Sequence, residues 1–467
     1  MSVIDRLNSK ENVKQLNNEE LKTLCEEIRQ FLIKNVAETG GHLASNLGVV
    51  ELCVAIHRVF DFDRDKIIFD VGHQSYVHKI LTGRKEGFSA LRKMNGLSGF
   101  PKTNESKYDF FDTGHSSDSL SVAAGMKRAA NLLKEKRNII AFIGDGSFGG
   151  GMVYEAMNDL GNSGKDNIIV ILNDNGMSIS KNSSSISKHL RKLRISASYL
   201  RTKKKLKNRL ISVPVLSGIL RKIKATVRKL IIGETIFENL GFKYYGPYDG
   251  HNLSELITIF ENVKNLDSSV VIHVKTKKGK GYSFAEQNPE AFHGISQFDI
   301  NTGKKNKSTE DYSYNFGKSL LSLAKKDDKI VAVTAAMPSG TGLVEFASVY
   351  PERFFDVGIC EEHATALCGG MAAGGLKPVL AVYSTFLQRA YDQLICDIAL
   401  MNLHVVVCID RAGIVGADGE THQGIFDISY IRSVPNFTMM SPANYLELDK
   451  MLEFALEKMN SPVAIRY

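Results

Sequence analysis

Asn138-Ile-Ile-Ala-Phe-Ile-Gly-Asp-Gly-Ser147 and Ile168-Ile-Val-Ile-Leu-Asn-Asp-Asn175 are the two stretches on which the fold turns. Each opens with a run that is apolar on both faces, as strands of a parallel sheet covered by helices on both sides are. Between them Gly149, Gly150 and Gly151 lead into a segment of helical spacing containing Glu155, Ala156 and Met157. Strand, helix and strand in that order form a parallel βαβ unit. Both strands end in polar residues, and open α/β sheets carry their functional loops at the carboxyl ends of strands.

Those polar residues suit a divalent cation. A magnesium-type ion takes hard oxygen ligands in octahedral geometry and shares them with substrate phosphates. The carboxylate of Asp145, the amide oxygen of Asn175 and the main-chain carbonyl of Met177 supply half of such a shell and leave room for a diphosphate and a water. Gly-Asp-Gly alone equally suits an aspartate capping a turn. A second strand-end motif, Asn173-Asp-Asn175, makes metal and diphosphate binding the better reading.

Short apolar runs recur outward from this unit: Ile67 to Phe69, Val270 to Val274, Ile330 to Val333, Val379 to Val382 and Val405 to Ile409. They alternate with stretches of helical spacing, which predicts an α/β fold with mainly parallel sheets. A lysine-rich polar stretch, Asn301 to Tyr312, interrupts the alternation and reads as a linker. The expected domains are 1–300, a linker at 301–313, and 314–467. Pro462 to Tyr467 reads as a strand, and the chain stops where a functional loop is expected to follow.

The 467 residues exceed one hydrophobic core, and the length alone suggests about three domains. Their 43% hydrophobic and 24% charged content excludes wholesale disorder. The net charge of +8 is local. Sixteen Lys and Arg and no acid lie in 181–230; the remaining 43 basic residues face 51 acidic ones, a net of −8. Leu206, Ile211, Val215, Leu216 and Ile219 give this segment the spacing of amphipathic helices with basic faces, read as a solvated surface insert. Six cysteines without a CxxC pair fit free thiols in a reducing compartment, and no signal segment or bilayer-length apolar run is present. A cytoplasmic protein is expected, with neither nucleic acid nor membrane as partner.

The paired motifs resemble the metal and diphosphate motif of thiamine-diphosphate enzymes. Further blocks narrow the resemblance: Gly40-Gly-His-Leu-Ala-Ser45, Asp70-Val-Gly-His-Gln-Ser-Tyr-Val-His-Lys-Ile-Leu-Thr-Gly-Arg84, Gly114-His-Ser-Ser117, Tyr383-Ser-Thr-Phe-Leu-Gln-Arg-Ala-Tyr-Asp-Gln393 and Asp410-Arg-Ala-Gly-Ile-Val-Gly-Ala-Asp-Gly-Glu-Thr-His-Gln-Gly424. Together they are similar to the 1-deoxy-D-xylulose-5-phosphate synthase family of transketolase-like enzymes, from about residue 5 to the last. The resemblance implies two thiamine-diphosphate-binding domains, each a mainly parallel sheet covered by helices, the cofactors thiamine diphosphate and Mg2+, and a homodimer. It also implies that the family's third, C-terminal domain is absent here, with the phosphate-binding arginine that follows the last strand.

The same resemblance assigns roles. Glu361, at the start of a helix after Phe355-Asp-Val-Gly-Ile-Cys360, becomes the carboxyl that activates the cofactor's aminopyrimidine, with Phe386 packed beside that ring. Gly114, His115 and Ser116, read as opening a helix, together with His73, Gly146, Ser147, Asn175 and Tyr282, become cofactor contacts. His42, His73, His293 and His422 become candidates for substrate contact and proton transfer. Tyr383, Arg389, Arg411, Asp418 and His422 become the lining for the acceptor and its phosphate. The implied substrates are pyruvate and D-glyceraldehyde 3-phosphate, condensed with loss of carbon dioxide to 1-deoxy-D-xylulose 5-phosphate. A transketolase-type enzyme with another donor or acceptor, and a cofactor-binding but inactive chain, stay open as alternatives. Two residues depart from the family pattern: Glu362 stands where Gln is usual, and Asp118 where Thr is usual.

Overall fold

The computed structural model describes residues 2–7, 10–176, 190, 235–305 and 310–467. The basic segment 181–230, Leu190 apart, and residues 306–309 of the expected linker lie outside the described residues, as does Met177. Two compact units emerge. The first comprises the described residues of Met1–Ser89, Phe100–Met177 and Lys181–Ile295; the second, those of Ala90–Gly99 and Ser296–Tyr467.

The first unit is built on a five-stranded sheet of β1 (Lys66–Phe69), β2 (Ile139–Gly144), β3 (Ile169–Asp174), β4 (Lys243–Asp249) and β5 (Val270–Lys275). The spatial order is β1-β2-β3-β5-β4, and every pairing is parallel. β2 and β3 occupy the middle and are apolar on both faces because both faces are covered. On one face Ile143, Leu172 and Val271 pack with Phe148, Val153 and Met157 from the segment between β2 and β3.

In the second unit a six-stranded sheet is formed by β6 (Ile330–Thr334), β7 (Phe354–Asp356), β8 (Lys377–Tyr383), β9 (Val406–Asp410), β10 (Thr438–Met440) and β11 (Val463–Arg466). Its order is β10-β11-β9-β8-β6-β7, again all parallel. One face packs on the helices Tyr312–Ala324 and Tyr445–Glu457, through Phe316, Leu320, Leu448 and Leu452. Ala364 and Cys368 of the helix Glu361–Ala373 cover the other. That helix lies close to its neighbour: a Cβ on Gly369 would stand 2.3 Å from the Asp397 carbonyl oxygen.

Every apolar run read as a strand is a strand, including the terminal one. The strands that the sequence did not announce, β4 and β10, are both at sheet edges, as is β7, whose end at Phe355-Asp356 was read as a strand end. An edge strand needs less apolar surface, and β7 and β10 are half-buried throughout. Among the described residues no helix is long and apolar enough to cross a membrane. All six cysteines are free; Cys25, Cys53, Cys368 and Cys408 are buried, while Cys396 is exposed.

The central strands carry the stability of the first unit. Leu172→Ala, at a fully buried position of β3, is expected to lower unfolding free energy by about 2–5 kcal/mol, read from urea titration.

Candidate active site

Parallel pairing of β2 with β3 sets Ile143 opposite Leu172 and Gly144 opposite Asn173. Asp145, just past the end of β2 at Gly144, and Asn175, just past the end of β3 at Asp174, therefore leave the sheet beside one another. The Asp145 N–H donates to the Asn173 carbonyl at 3.1 Å, and the Asn175 N–H reaches Asp145 Oδ1 at 3.5 Å. Asn173 is committed elsewhere, since its Oδ1 accepts from Thr276 Oγ1 at 2.6 Å. The hard oxygens of Asp145 and Asn175, brought together at these strand ends, fit Mg2+. Among the described residues no cluster of three His, Cys, Asp or Glu side chains offers a competing site for a softer metal.

Around Asp145 the backbone forms a cradle. Ser147–Gly149 is a single 3-10 turn, and Ser117 Oγ donates to the Ser147 carbonyl at 2.8 Å. A Cβ on Gly150 would stand 2.2 Å from that Ser117 oxygen, so only glycine lets the two loops approach. Lys278 is buried beside them; burial lowers its ammonium to about 8, against the opposing pull of Asp145 and Glu290. A buried cation next to the Asp145 carboxylate suits a diphosphate. Its loop is held by Arg29, whose Nε donates to the Lys280 carbonyl at 2.9 Å and whose Nη2 meets Glu51 at 2.7 Å. Burial alone would raise the Glu51 carboxyl, but His251 and Arg29 bring it down to about 2. Tyr282, next in this loop, is buried against Phe292.

One expectation is corrected. Gly114, His115 and Ser116 do not open a helix: the helix runs Ser119–Leu132. Its first N–H is already taken, because the buried Asp70 carboxyl accepts from the Ser119 N–H at 3.2 Å, and also from the preceding Ser117 N–H at 2.9 Å and from Ser119 Oγ at 2.7 Å. An internal carboxyl thus occupies the place where an external anion was expected. Asp118 sits at the N-cap position, yet its side chain makes no capping bond.

The histidines of the first unit converge. Ring centroids of His42 and His73 are 5.8 Å apart, those of His73 and His293 4.9 Å, and those of His42 and His293 6.1 Å. Asn46 ties their segments together: Nδ2 donates to the carbonyls of His42 at 2.6 Å and His73 at 2.8 Å, while Oδ1 accepts the Tyr76 N–H at 2.8 Å. His293 meets Ser45 Oγ at 3.2 Å. Burial holds the His293 ring well below the usual histidine range, reinforced by Lys278 and the two neighbouring histidines, so it is neutral at physiological pH.

The second unit assembles its own group. Glu361 begins the helix Glu361–Ala373 and is 2% exposed. Desolvation raises its carboxyl to about 7, partly offset by Arg389, with Glu362 adding a smaller push upward. Its Oε2 accepts no hydrogen bond among the described residues. Arg389 Nε lies 3.9 Å from Glu361 and 3.7 Å from Glu362. Tyr383 stacks on Phe386 with centroids 5.8 Å apart; His422 meets Phe386 edge-on at 5.5 Å, and the Arg411 guanidinium lies 3.8 Å over the Tyr383 ring. Arg411 adopts φ +53°, a strained backbone for arginine in a loop closed by the Gly413–Gly424 bridge. Asp418 pairs with Arg92 at 2.6 Å.

Sequence reasoning overlooked Asn46, Arg92 and Lys278. Lys278 was masked by its position in a run of lysines, and the other two make contacts that only folding brings about.

A raised carboxyl pKa has a stability consequence. Ionising Glu361 in the folded protein is unfavourable, so its destabilisation is absent below its ordinary value of 4.5, grows as pH rises through about 7 and is complete above. Glu361→Gln is therefore expected to stabilise the protein at pH 8 by up to about 3 kcal/mol and to have little effect at pH 4.5, measured by urea unfolding.

Residues 4–276 match the family model described as 1-deoxy-D-xylulose-5-phosphate synthase, and residues 309–467 match the pyrimidine binding domain of transketolase. A 1-deoxy-D-xylulose-5-phosphate synthase from Clostridium acetobutylicum is 52% identical over 470 residues, covering 100% of this chain and 76% of that protein. Its counterpart from Clostridium beijerinckii is 53% identical over 471 residues, with the same coverage. A solved transketolase from Campylobacter jejuni is 20% identical, with 97% of this chain and 78% of that one covered and a TM-score of 0.46. With its first unit matching the family model and half its residues identical to the Clostridium synthases over their shared length, the chain belongs to the 1-deoxy-D-xylulose-5-phosphate synthase family.

Proposed function

We propose that the residues described above carry the family's reaction, the condensation of pyruvate with D-glyceraldehyde 3-phosphate to 1-deoxy-D-xylulose 5-phosphate and carbon dioxide. The cofactors are thiamine diphosphate and Mg2+. When bound, thiamine diphosphate supplies the carbon nucleophile and electron sink that let the pyruvate carboxylate leave as carbon dioxide. Asp145, Asn175 and the Met177 carbonyl hold the Mg2+, and Gly146, Ser147, His73 and Tyr282 flank the cofactor. Gly114, His115 and Ser116 contribute as a loop, not as a helix terminus.

Glu361 exchanges a proton with the aminopyrimidine ring nitrogen. A carboxyl poised near pH 7 is equally able to give and to take that proton, as efficient acid–base catalysis requires. This poised, desolvated carboxyl with an oxygen that accepts no hydrogen bond among the described residues is the observation that carries the reading. Phe386 packs on the ring. His42, His73 and neutral His293 hold or move protons at the substrate oxygens. Arg389 and Arg411 bind the acceptor phosphate, with Tyr383, Asp418 and His422 orienting the acceptor. Arg389 thus faces two demands, since Glu361 and Glu362 both approach it.

The chain acts as a cytoplasmic homodimer in this reading. Free thiols throughout suit a reducing compartment. Leu400, Met401, Phe426 and Ile428 on the second unit are exposed apolar residues of the kind a partner surface covers.

Labelled pyruvate tests the reaction: carbon dioxide is expected to be released only when D-glyceraldehyde 3-phosphate is added. Consumption of a ketose phosphate with none released from pyruvate would instead identify another transketolase-type activity, and cofactor binding without any turnover an inactive binder. For Glu361, exchange of the cofactor's C2 proton in Glu361→Gln is expected to slow by about 10²–10⁴-fold, followed by NMR. Unchanged exchange would remove Glu361 from this role.

A further inference from the structure

The first unit contains a second polar constellation, fully buried and unused by the reaction as described. His273 on β5 and Asp174 at the end of β3 are both inaccessible to solvent, and His273 Nε2 lies 2.7 Å from Asp174 Oδ2. On its other side His273 Nδ1 lies 2.6 Å from the hydroxyl of Tyr244, on β4. Tyr244 is itself fixed by stacking on Phe237, with centroids 5.3 Å apart and planes 3° from parallel. Three side chains thus bridge β4, β5 and β3, adjacent in that order.

The chain of bonds ends in the cation loop. Asp174 Oδ1 accepts the Gly176 N–H at 3.1 Å, and the Asp174 carbonyl accepts the Thr276 N–H at 3.0 Å. Gly176 has φ +74°, a left-handed turn suited to glycine. Asn175 lies between the two groups that Asp174 ties together, its own backbone and that of Gly176. A carboxylate only accepts, so Nε2 carries the hydrogen toward Asp174, and Nδ1 takes the hydrogen of the Tyr244 hydroxyl. The tautomer and the ring orientation are both set, as they are for partners that orient metal ligands from behind.

We infer that His273, held by Tyr244, is a positioning residue for the Mg2+ site: through Asp174 it fixes the turn that presents Asn175. The inference rests on the assignment of Mg2+ to Asp145 and Asn175. Without the His273 donor, the buried Asp174 carboxylate loses a charge-assisted bond and has no solvent to replace it. The turn then loses its fixed orientation and the oxygens no longer meet octahedral demand.

Calorimetric titration of Mg2+ into the whole chain, at saturating thiamine diphosphate, tests this without using turnover. His273→Leu is expected to weaken Mg2+ binding by about 10- to 100-fold, the range seen when groups behind metal ligands are removed. His273→Gln, whose amide nitrogen can still donate to Asp174, is expected to recover most of that loss. Thermal unfolding of the cofactor-free variants separates positioning from general stability: a positioning role requires the two variants to differ in Mg2+ affinity even where they melt alike. Equal Mg2+ affinity of His273→Leu and the unsubstituted protein, or equal weakening in both variants, overturns the inference. If His273→Leu does not fold, Tyr244→Phe is read in the same titration; a weakening of about 2- to 10-fold supports the inference, and none overturns it. Absence of saturable Mg2+ binding by the unsubstituted protein would overturn the metal assignment and the inference with it.

Discussion

Parallel pairing of β2 with β3 is the constraint from which the first unit's chemistry follows. One register, Gly144 opposite Asn173, brings the ends of two strands together and makes Asp145 and Asn175 neighbours. A slip of one residue would take Gly144 away from Asn173 and separate those oxygens. The buried isoleucines, valines and leucines of β2 and β3, apolar on both faces, keep these two strands inside the sheet beneath helices. The hydrophobic core and the cation site are therefore consequences of the same alignment.

Burial then sets the charge states. Asp70, Asp145, Lys278 and Glu361 all lie where solvent is excluded, and what each becomes depends on its partners. Glu51 has His251 and Arg29 and stays ionised; Glu361 has only a long approach from Arg389 and is poised near neutrality. Asp70 ends up as an internal cap for the helix Ser119–Leu132. Such placements cost stability and are retained where chemistry needs a group with a shifted affinity for protons.

The α/β architecture was legible in the sequence because a strand covered on both faces leaves a continuous apolar run. The edge strands β4 and β10 were not, since a half-covered edge requires no such run, and of the edge strand β7 only the end at Phe355-Asp356 was. Of the candidate site, Asp145, Asn175 and Glu361 were legible from motifs at strand ends and a helix start. The start of the helix at Ser119, and the use of its donors by Asp70, were not: the partner lies in a segment distant in sequence, and nothing local in the Gly114 block announces it. Asn46 shows the same limit, for two of its three bonds go to backbone groups of the distant His73–Tyr76 segment.

The sequence by itself determined the fold class, the family and the residue types that meet a cation and a diphosphate, because hydrophobic period and short motifs are local properties of the chain. Only the tertiary structure decided that three histidines converge, that Arg389 lies between two glutamates, and that Tyr244, His273 and Asp174 join three strands behind the metal loop. Those are contacts between residues far apart in the chain, and the shifted proton affinities they create arise from desolvation and proximity, which exist only once the chain has folded.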